Sequence, residues 1–297
     1  MTAKPAVDVM LIGHLAKDRI VVNGQTRAAT GGAVYYGGMT LLCLGLRVAI
    51  VTRLAREDFP LLTEFEAKGV QLFPVEAEGT SGIENVHPDP TSDRRICHPL
   101  GFAGPFGLED LPDIQARLYY VGTVMPGEVE LPFLQAVATR GPVALDCQGM
   151  LRKQIGNELV TDSWPEKEEG LSLARFLKVD DVEAKALVGE GDPYRAVRAL
   201  AEMGPEEVVL THRHGVAVLA ECRFFEAPFK PRSMAGRTGR GDSCFSAYIG
   251  KRLAGSSPEE ATRFAAALTT LKLEQPGPFC GTLEDVERLL TDNQART

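Results

Sequence analysis

The chain has no CxxC pair, no long apolar run and no surplus of positive charge. Its six cysteines, Cys43, Cys97, Cys147, Cys222, Cys244 and Cys280, are scattered. That scatter argues against zinc and disulfide frameworks and for buried free thiols in a reducing compartment. No apolar stretch approaches the roughly 18 residues of a membrane span. The run from Val7 to Ile12 is short and carries Asp8, so a secretion signal is not expected and the expected location is cytoplasmic. A net charge of −8 with a pI near 5.3 speaks against a nucleic-acid partner. Internal repeats, low-complexity tracts and Pro/Gly/Ser-rich linkers are all missing. The expectation is therefore one domain over residues 1–297.

What is present is an ordinary globular composition, 44% hydrophobic and 24% charged, enough for a sizeable core. Val7 to Gly13 reads as a buried strand stopped by glycine, and Asp18 to Val22 as a short second strand. Gly31-Gly32 opens a small-residue helix that runs from Ala33 to Gly45. Further strands are expected at 47–52, 70–74, 118–121, 143–146, 176–179 and 208–211. Helices are expected at 57–68, 129–139, 181–187, 193–203, 243–253, 258–273 and 283–290. This alternation predicts right-handed βαβ units and a parallel sheet. The rhythm breaks between about Gly79 and Gly107, where 82–87 and 94–98 flank a turn-like segment at 88–92. The reading is a hairpin projecting from the sheet. A second hairpin is expected over 216–225.

The most informative stretch is Gly236-Arg237-Thr238-Gly239-Arg240-Gly241-Asp242-Ser243. It fits the phosphate-loop pattern GxxxxGK[ST], except that Asp242 replaces the lysine. The swap inverts the charge. A lysine neutralises phosphate, whereas an aspartate repels it and can take a proton from an attacking hydroxyl. The glycines still bring bare N–H groups to an anion at a helix N-terminus. A plain N-cap is the alternative for Asp242, but a cap needs no run of glycines and leaves Thr238 unexplained.

At this point the chain resembles the ribokinase-like (PfkB-type) carbohydrate kinases. Thr238-Gly239-Arg240-Gly241-Asp242 matches the core of that family's C-terminal signature. Gly31-Gly32 and Leu44-Gly45 match its N-terminal one. The resemblance implies a ribokinase-like α/β fold, a parallel-sheet sandwich with helices on both faces. It also implies a small β lid, formed from about 15–30 and 80–105. It implies ATP and Mg²⁺ as cofactors and Asp242 as catalytic base. The amides of Gly239, Arg240, Gly241 and Asp242 would form the anion hole.

The same resemblance implies that Asp18 binds acceptor hydroxyls and that Gly31 and Gly32 approach the acceptor. Asp146, Gln148 and Arg152 follow a strand, where ligands of parallel sheets bind; a surface loop is the alternative. Glu183, with Asp180, is implied as the magnesium element, and helix capping is the other reading of Asp180. Thr211, Gly215, Thr238 and Ala266 are implied on the nucleotide side. There the 211–215 loop is one residue short, and Ala266 stands where relatives carry asparagine. His212 and His214 read as solvated loop residues before a metal pair. Tyr35-Tyr36 replace a polar acceptor contact with rings that can stack. Arg94 and Arg95 either reach a ligand from the lid or remain exposed charges.

The function expected is ATP-dependent phosphorylation of a sugar or cyclitol hydroxyl. A nucleoside kinase, or a non-catalytic sugar- or nucleotide-binding regulator, is the alternative. The expected partner is a small polyol or nucleoside, with a homodimer formed through an apolar lid face and no membrane.

Overall fold

In the computed structural model, which describes residues 6–88 and 95–294, β1 (Val7–Ile12) is buried along nearly its whole length. A strand with helices on both faces must be. Val9 and Leu11 pack into one core, Met10 and Ile12 into the other, following the two-residue period of a strand. The chain then leaves the sheet for β2 (Ala16–Val22) and β3 (Gln25–Gly31), and returns through α1 (Ala33–Cys43) and β4 (Val48–Ala55). After α2 (Thr63–Ala67) and β5 (Gln71–Ala77) it leaves again for β6 (Gly82–His87) and β7 (Ile96–Gly101).

The second half is more regular. β8 (Ala116–Gly122), α3 (Leu131–Ala138) and β9 (Val143–Asp146) lead to a hairpin of β10 (Arg152–Ile155) and β11 (Glu158–Thr161). Then come α4 (Lys167–Ser172), β12 (Ala174–Asp180), α5 (Asp181–Val188), α6 (Pro193–Glu202) and β13 (Glu207–His212). β14 (Gly215–Ala220), β15 (Arg223–Pro228), α7 (Arg240–Leu253), α8 (Pro258–Leu273) and α9 (Leu283–Gln294) complete the chain.

Nine strands form the main sheet in the order β15-β14-β13-β12-β9-β8-β1-β4-β5. Every pairing from β5 to β13 is parallel, and β14 and β15 extend the far edge antiparallel. Helices cover both faces. The order of connection reverses at β1, whose neighbours are β4 on one side and β8 on the other. Ligands of open parallel sheets bind at such a reversal, outside the carboxyl ends of the strands. Over that end sits a second sheet, β3-β2-β6-β7, built from the two segments expected to form a lid and hereafter called the lid. The β10–β11 hairpin stands beside it, joined through His98 Nδ1 and the Asn157 carbonyl at 2.6 Å.

Three local readings need correction. The helix expected at 57–68 is a 3₁₀ segment over Arg56–Leu62 with Pro60 inside, and only α2 is α-helical; proline has no N–H for the helical ladder. The helix expected from 243 starts at Arg240, one turn earlier. The β10–β11 hairpin, β3 and α4 were not anticipated. Residues 89–92 of the expected lid turn, and Arg94, lie outside the described residues. Among the described residues, no helix is long and apolar enough to cross a membrane.

Candidate active site

α7 is entered through Gly239, whose φ of 75° lies in the left-handed region. A Cβ there would stand 2.2 Å from the Tyr36 ring, so both backbone and space demand glycine. Asp242 falls in the first turn of α7. The Arg240 N–H turns back to the Arg237 carbonyl at 3.2 Å, while the Gly239, Gly241 and Asp242 N–H groups take no backbone acceptor. Orphan donors at a helix start are an anion seat. Of the four amides expected in the anion hole, Arg240 is the one already engaged.

Beside this seat lies Lys178, the only charged residue between Phe176 and Val179, 4% exposed. Its ammonium is 3.1 Å from Asp146 Oδ2 and 3.5 Å from Glu183 Oε2. Gln148 Nε2 donates to Glu183 Oε1 at 2.8 Å. Burial opposes the charge on Lys178, yet Asp146 and Glu183 hold the ammonium protonated. With two carboxylates facing one cation, burial pushes Asp146 up to about 7. Burial works the same way on Glu183, but Lys178 and the Gln148 amide outweigh it and hold that carboxyl below its ordinary value.

Asp180 caps α5, its Oδ1 accepting from the Val182 and Glu183 N–H groups at 2.9 Å, and Glu183 Oε2 accepts from Asp180 N at 2.8 Å. Both Glu183 oxygens are thus committed. No group of three His, Cys, Asp or Glu able to hold a metal exists among the described residues. The set fits magnesium only through water, with Asp180 Oδ2 as the oxygen left over. His212 and His214 interact with each other, His214 N donating to His212 Nδ1 at 3.3 Å.

Asp18, on β2, is 8% exposed and accepts from the Ile83 N–H at 2.9 Å. Burial pushes its carboxyl up to about 6, against the pull of that N–H and of Arg152 and Arg95. Arg152 Nη1 donates to the Val124 carbonyl at 2.5 Å, which fixes the guanidinium below the lid.

These groups line two connected spaces. A small pocket of about 50 Å³ is walled by Asp18, Gly32, Tyr36, Asn85, Asp146, Gln148 and Arg152, among others. A larger cleft of about 800 Å³ is walled by Lys178, Asp180, Glu183, Thr211, Arg213, Arg237, Arg240 and Gly241, among others. Arg95, Gln148, Arg152, Thr238, Gly239 and Asp242 border both. Asp242 therefore stands where pocket and cleft meet.

Two expected residues are elsewhere. Ala266 is 3% exposed inside the apolar core, because that face of α8 packs on the sheet. Gly215 starts β14 with the Ala227 carbonyl against its Cα; neither residue lines the cleft. Gly31 backs Asp18, so closely that a Cβ would fall 2.1 Å from Asp18 Oδ2. Tyr36 lines the pocket, whereas Tyr35 points to Glu64 at 3.4 Å. Sequence reasoning passed over Lys178, Asn85, Arg213 and Arg237. Only Lys178 carried a signal, as a lone charge inside an apolar strand.

A family model described as pfkB family carbohydrate kinase matches residues 58–281. The chain belongs to the pfkB family of carbohydrate kinases. Among solved structures, this family member is similar to a pyrophosphate-dependent kinase of the ribokinase family, complexed with a pyrophosphate analog and myo-inositol. Identity is 33%, with 94% of this chain and 99% of that one covered and a TM-score of 0.86. It is equally similar, at 32% identity, 96% and 99% coverage and a TM-score of 0.86, to a myo-inositol-1 kinase converted by two substitutions into a myo-inositol-3 kinase. An Arabidopsis thaliana ribokinase complexed with ribose and ATP shares the fold at 19% identity, 96% and 99% coverage and a TM-score of 0.72. No curated protein sequence matches the chain.

Proposed function

We propose that this pfkB-family kinase transfers a phosphoryl group from inorganic pyrophosphate to a hydroxyl of a cyclitol or related polyol. The observation that carries the reading is the position of Asp242 at the junction of a small polar pocket and a larger cleft lined by several arginines. The lining of the pocket suits a polyol, with Asp18, Asn85 and Arg152 as hydroxyl partners and the Tyr36 ring as an apolar wall. The cleft suits a polyanion without requiring a base: Arg213, Arg237 and Arg240 supply charge, and Ala266 is withdrawn into the core. The pyrophosphate-dependent relatives support the same donor.

In the proposed reaction Asp242 orients the acceptor hydroxyl and takes its proton as the new P–O bond forms. The bridging P–O bond of the donor breaks, and orthophosphate leaves with the bond's electron pair. The orphan amides at the start of α7 meet the charge on the moving phosphoryl oxygens. The cleft arginines meet the charge on the leaving group. The lid keeps water from competing with the acceptor. When bound, Mg²⁺ would shield the donor's phosphates, held through water to Asp180.

ATP is the second reading. The cleft's size favours it, since about 800 Å³ exceeds what a diphosphate fills. Purified protein offered myo-inositol, other cyclitols, sugars and nucleosides with either donor decides between them. The proposal predicts phosphomonoester formation from pyrophosphate exceeding that from ATP. The reverse order would replace the donor, and no product from any pair would remove the kinase reading.

A further inference from the structure

Lys272 belongs to neither space, yet it touches the loop that joins them. It is the penultimate residue of α8, 1% exposed, and its Nζ donates to the backbone carbonyls of Gly236 and Thr238. Its ammonium also lies 5.2 Å from the centre of the Tyr36 ring. The loop is pressed on the end of α8 at the same place. Gly236 N donates to the Leu273 carbonyl at 2.8 Å, and a Cβ at Gly236 would fall 1.7 Å from the Gln275 carbonyl.

The consequence follows from peptide geometry. In a trans peptide the C=O and the next N–H point in opposite directions. Holding the Thr238 carbonyl inward on the ammonium therefore turns the Gly239 N–H outward, toward the anion seat. Holding the Gly236 carbonyl inward does the same for the Arg237 N–H. Without a cation beneath them, the buried Gly236 carbonyl and the part-buried Thr238 carbonyl lose their partner, at a cost of up to about 1–3 kcal/mol each. The loop then gains by flipping a peptide, which would aim a carbonyl at the phosphoryl group.

We propose that Lys272 is the positioning residue of the anion loop, a built-in cation that fixes the outward direction of the Gly239 N–H and frees the enzyme from needing a cation supplied by solution. The proposal rests on the kinase reading only for its activity readouts. The charged groups around Lys272 are Asp242 and Arg240 on α7 and Arg27 on β3, with the Tyr36 ring on α1. Burial draws its pKa down to about 7, with Asp242 opposing and Arg240 and Arg27 adding to the fall.

The test compares wild type with Lys272→Ala, which leaves room for an ion, Lys272→Met, which fills the space without charge, and Lys272→Arg, which is always charged. Wild-type turnover should be the same in potassium, ammonium or tetramethylammonium chloride. Both neutral variants should lose on the order of 100-fold in kcat, with acceptor KM changed less than about threefold, as loss of one oriented oxyanion donor implies. Potassium or ammonium should restore Lys272→Ala at least about tenfold, tetramethylammonium should not, and Lys272→Met should stay unrestored. In kcat/KM, which reports the free enzyme, activity should fall above pH of about 7 in wild type but not in Lys272→Arg. Independently of turnover, a Lys272→Ala crystal soaked in rubidium chloride should show an ion between the Gly236 and Thr238 carbonyls. The inference is overturned by wild-type activation with potassium, by neutral variants of normal kcat, or by an Lys272→Ala loop that keeps its peptides without an ion. A wild type that turns over no acceptor while the rubidium site appears would sink the kinase reading and leave the clamp standing.

Discussion

Replacing Asp18 with asparagine should make the protein more stable and poorer at holding its acceptor. Asp18 is buried, and that burial lifts its pKa from 3.8 to about 6. Because the folded-state value lies above the unfolded one, the folded protein holds an extra proton between about pH 4 and 6. Stability therefore falls as pH rises through that window, and the full cost is present above it. The rise corresponds to about 3 kcal/mol at neutral pH, at 1.36 kcal/mol per pH unit.

Asparagine carries no charge to desolvate and keeps an oxygen for the Ile83 N–H, now at 2.9 Å. The variant should gain about 1–3 kcal/mol at pH 8, seen as a Tm a few degrees higher by calorimetry. The gain should shrink as the pH falls toward 5. Acceptor KM should rise about tenfold or more, because a charge-assisted hydrogen bond to a hydroxyl, worth about 1.5–3 kcal/mol, becomes a neutral one. A variant less stable than wild type at pH 8, or a difference that does not vary with pH, would refute the reasoning.

Gly239→Ala should lower kcat at least about tenfold and cost about 1–3 kcal/mol in urea unfolding, since it combines a φ of 75° with a Cβ 2.2 Å from the Tyr36 ring. Arg213→Ala should raise the donor KM about tenfold and leave the acceptor KM alone, as steady-state kinetics with each substrate varied will show. Arg252→Ala should cost about 3 kcal/mol in urea unfolding without changing kcat. It strips Glu207, which accepts from Arg252 Nη2 at 2.7 Å and also from the Tyr248 hydroxyl, and leaves that buried carboxylate short of its cation.

How far the sequence reached depended on whether a position answers to local rules. Gly239 and Asp242 were legible because a glycine-rich helix entry followed by a first-turn carboxylate serves an anion and a base together, which a simple cap does not require. The parallel sheet was legible because β1, β9 and β13 each hold a short apolar run, at residues 9–12, 143–145 and 208–210. The β10–β11 hairpin was missed because Arg152 to Thr161 is short and polar, with only Leu159 buried; its one signal was Gly156-Asn157 at the turn. Ala266 was implied on the nucleotide side by resemblance alone; it lies in the core, and an alanine carries no signal that separates such a face from one that meets a ligand. Asp146, expected on the acceptor side, and Asp180 and Glu183, expected together at the metal, share one network with Lys178. Asp180 and Glu183 are joined locally by a capping box, but Asp146 on β9 meets Lys178 on β12 only after the sheet has formed, so no local spacing could reveal that part.

The most direct measurement follows purified protein, inorganic pyrophosphate, Mg²⁺ and myo-inositol by phosphorus-31 NMR, with Asp242→Asn alongside. A phosphomonoester signal should grow in step with the loss of pyrophosphate, one ester and one orthophosphate per donor consumed. The asparagine variant should be slower by about 10² to 10⁴. Orthophosphate without ester, or a variant as fast as wild type, would contradict Asp242 as the base of a phosphoryl transfer to an alcohol.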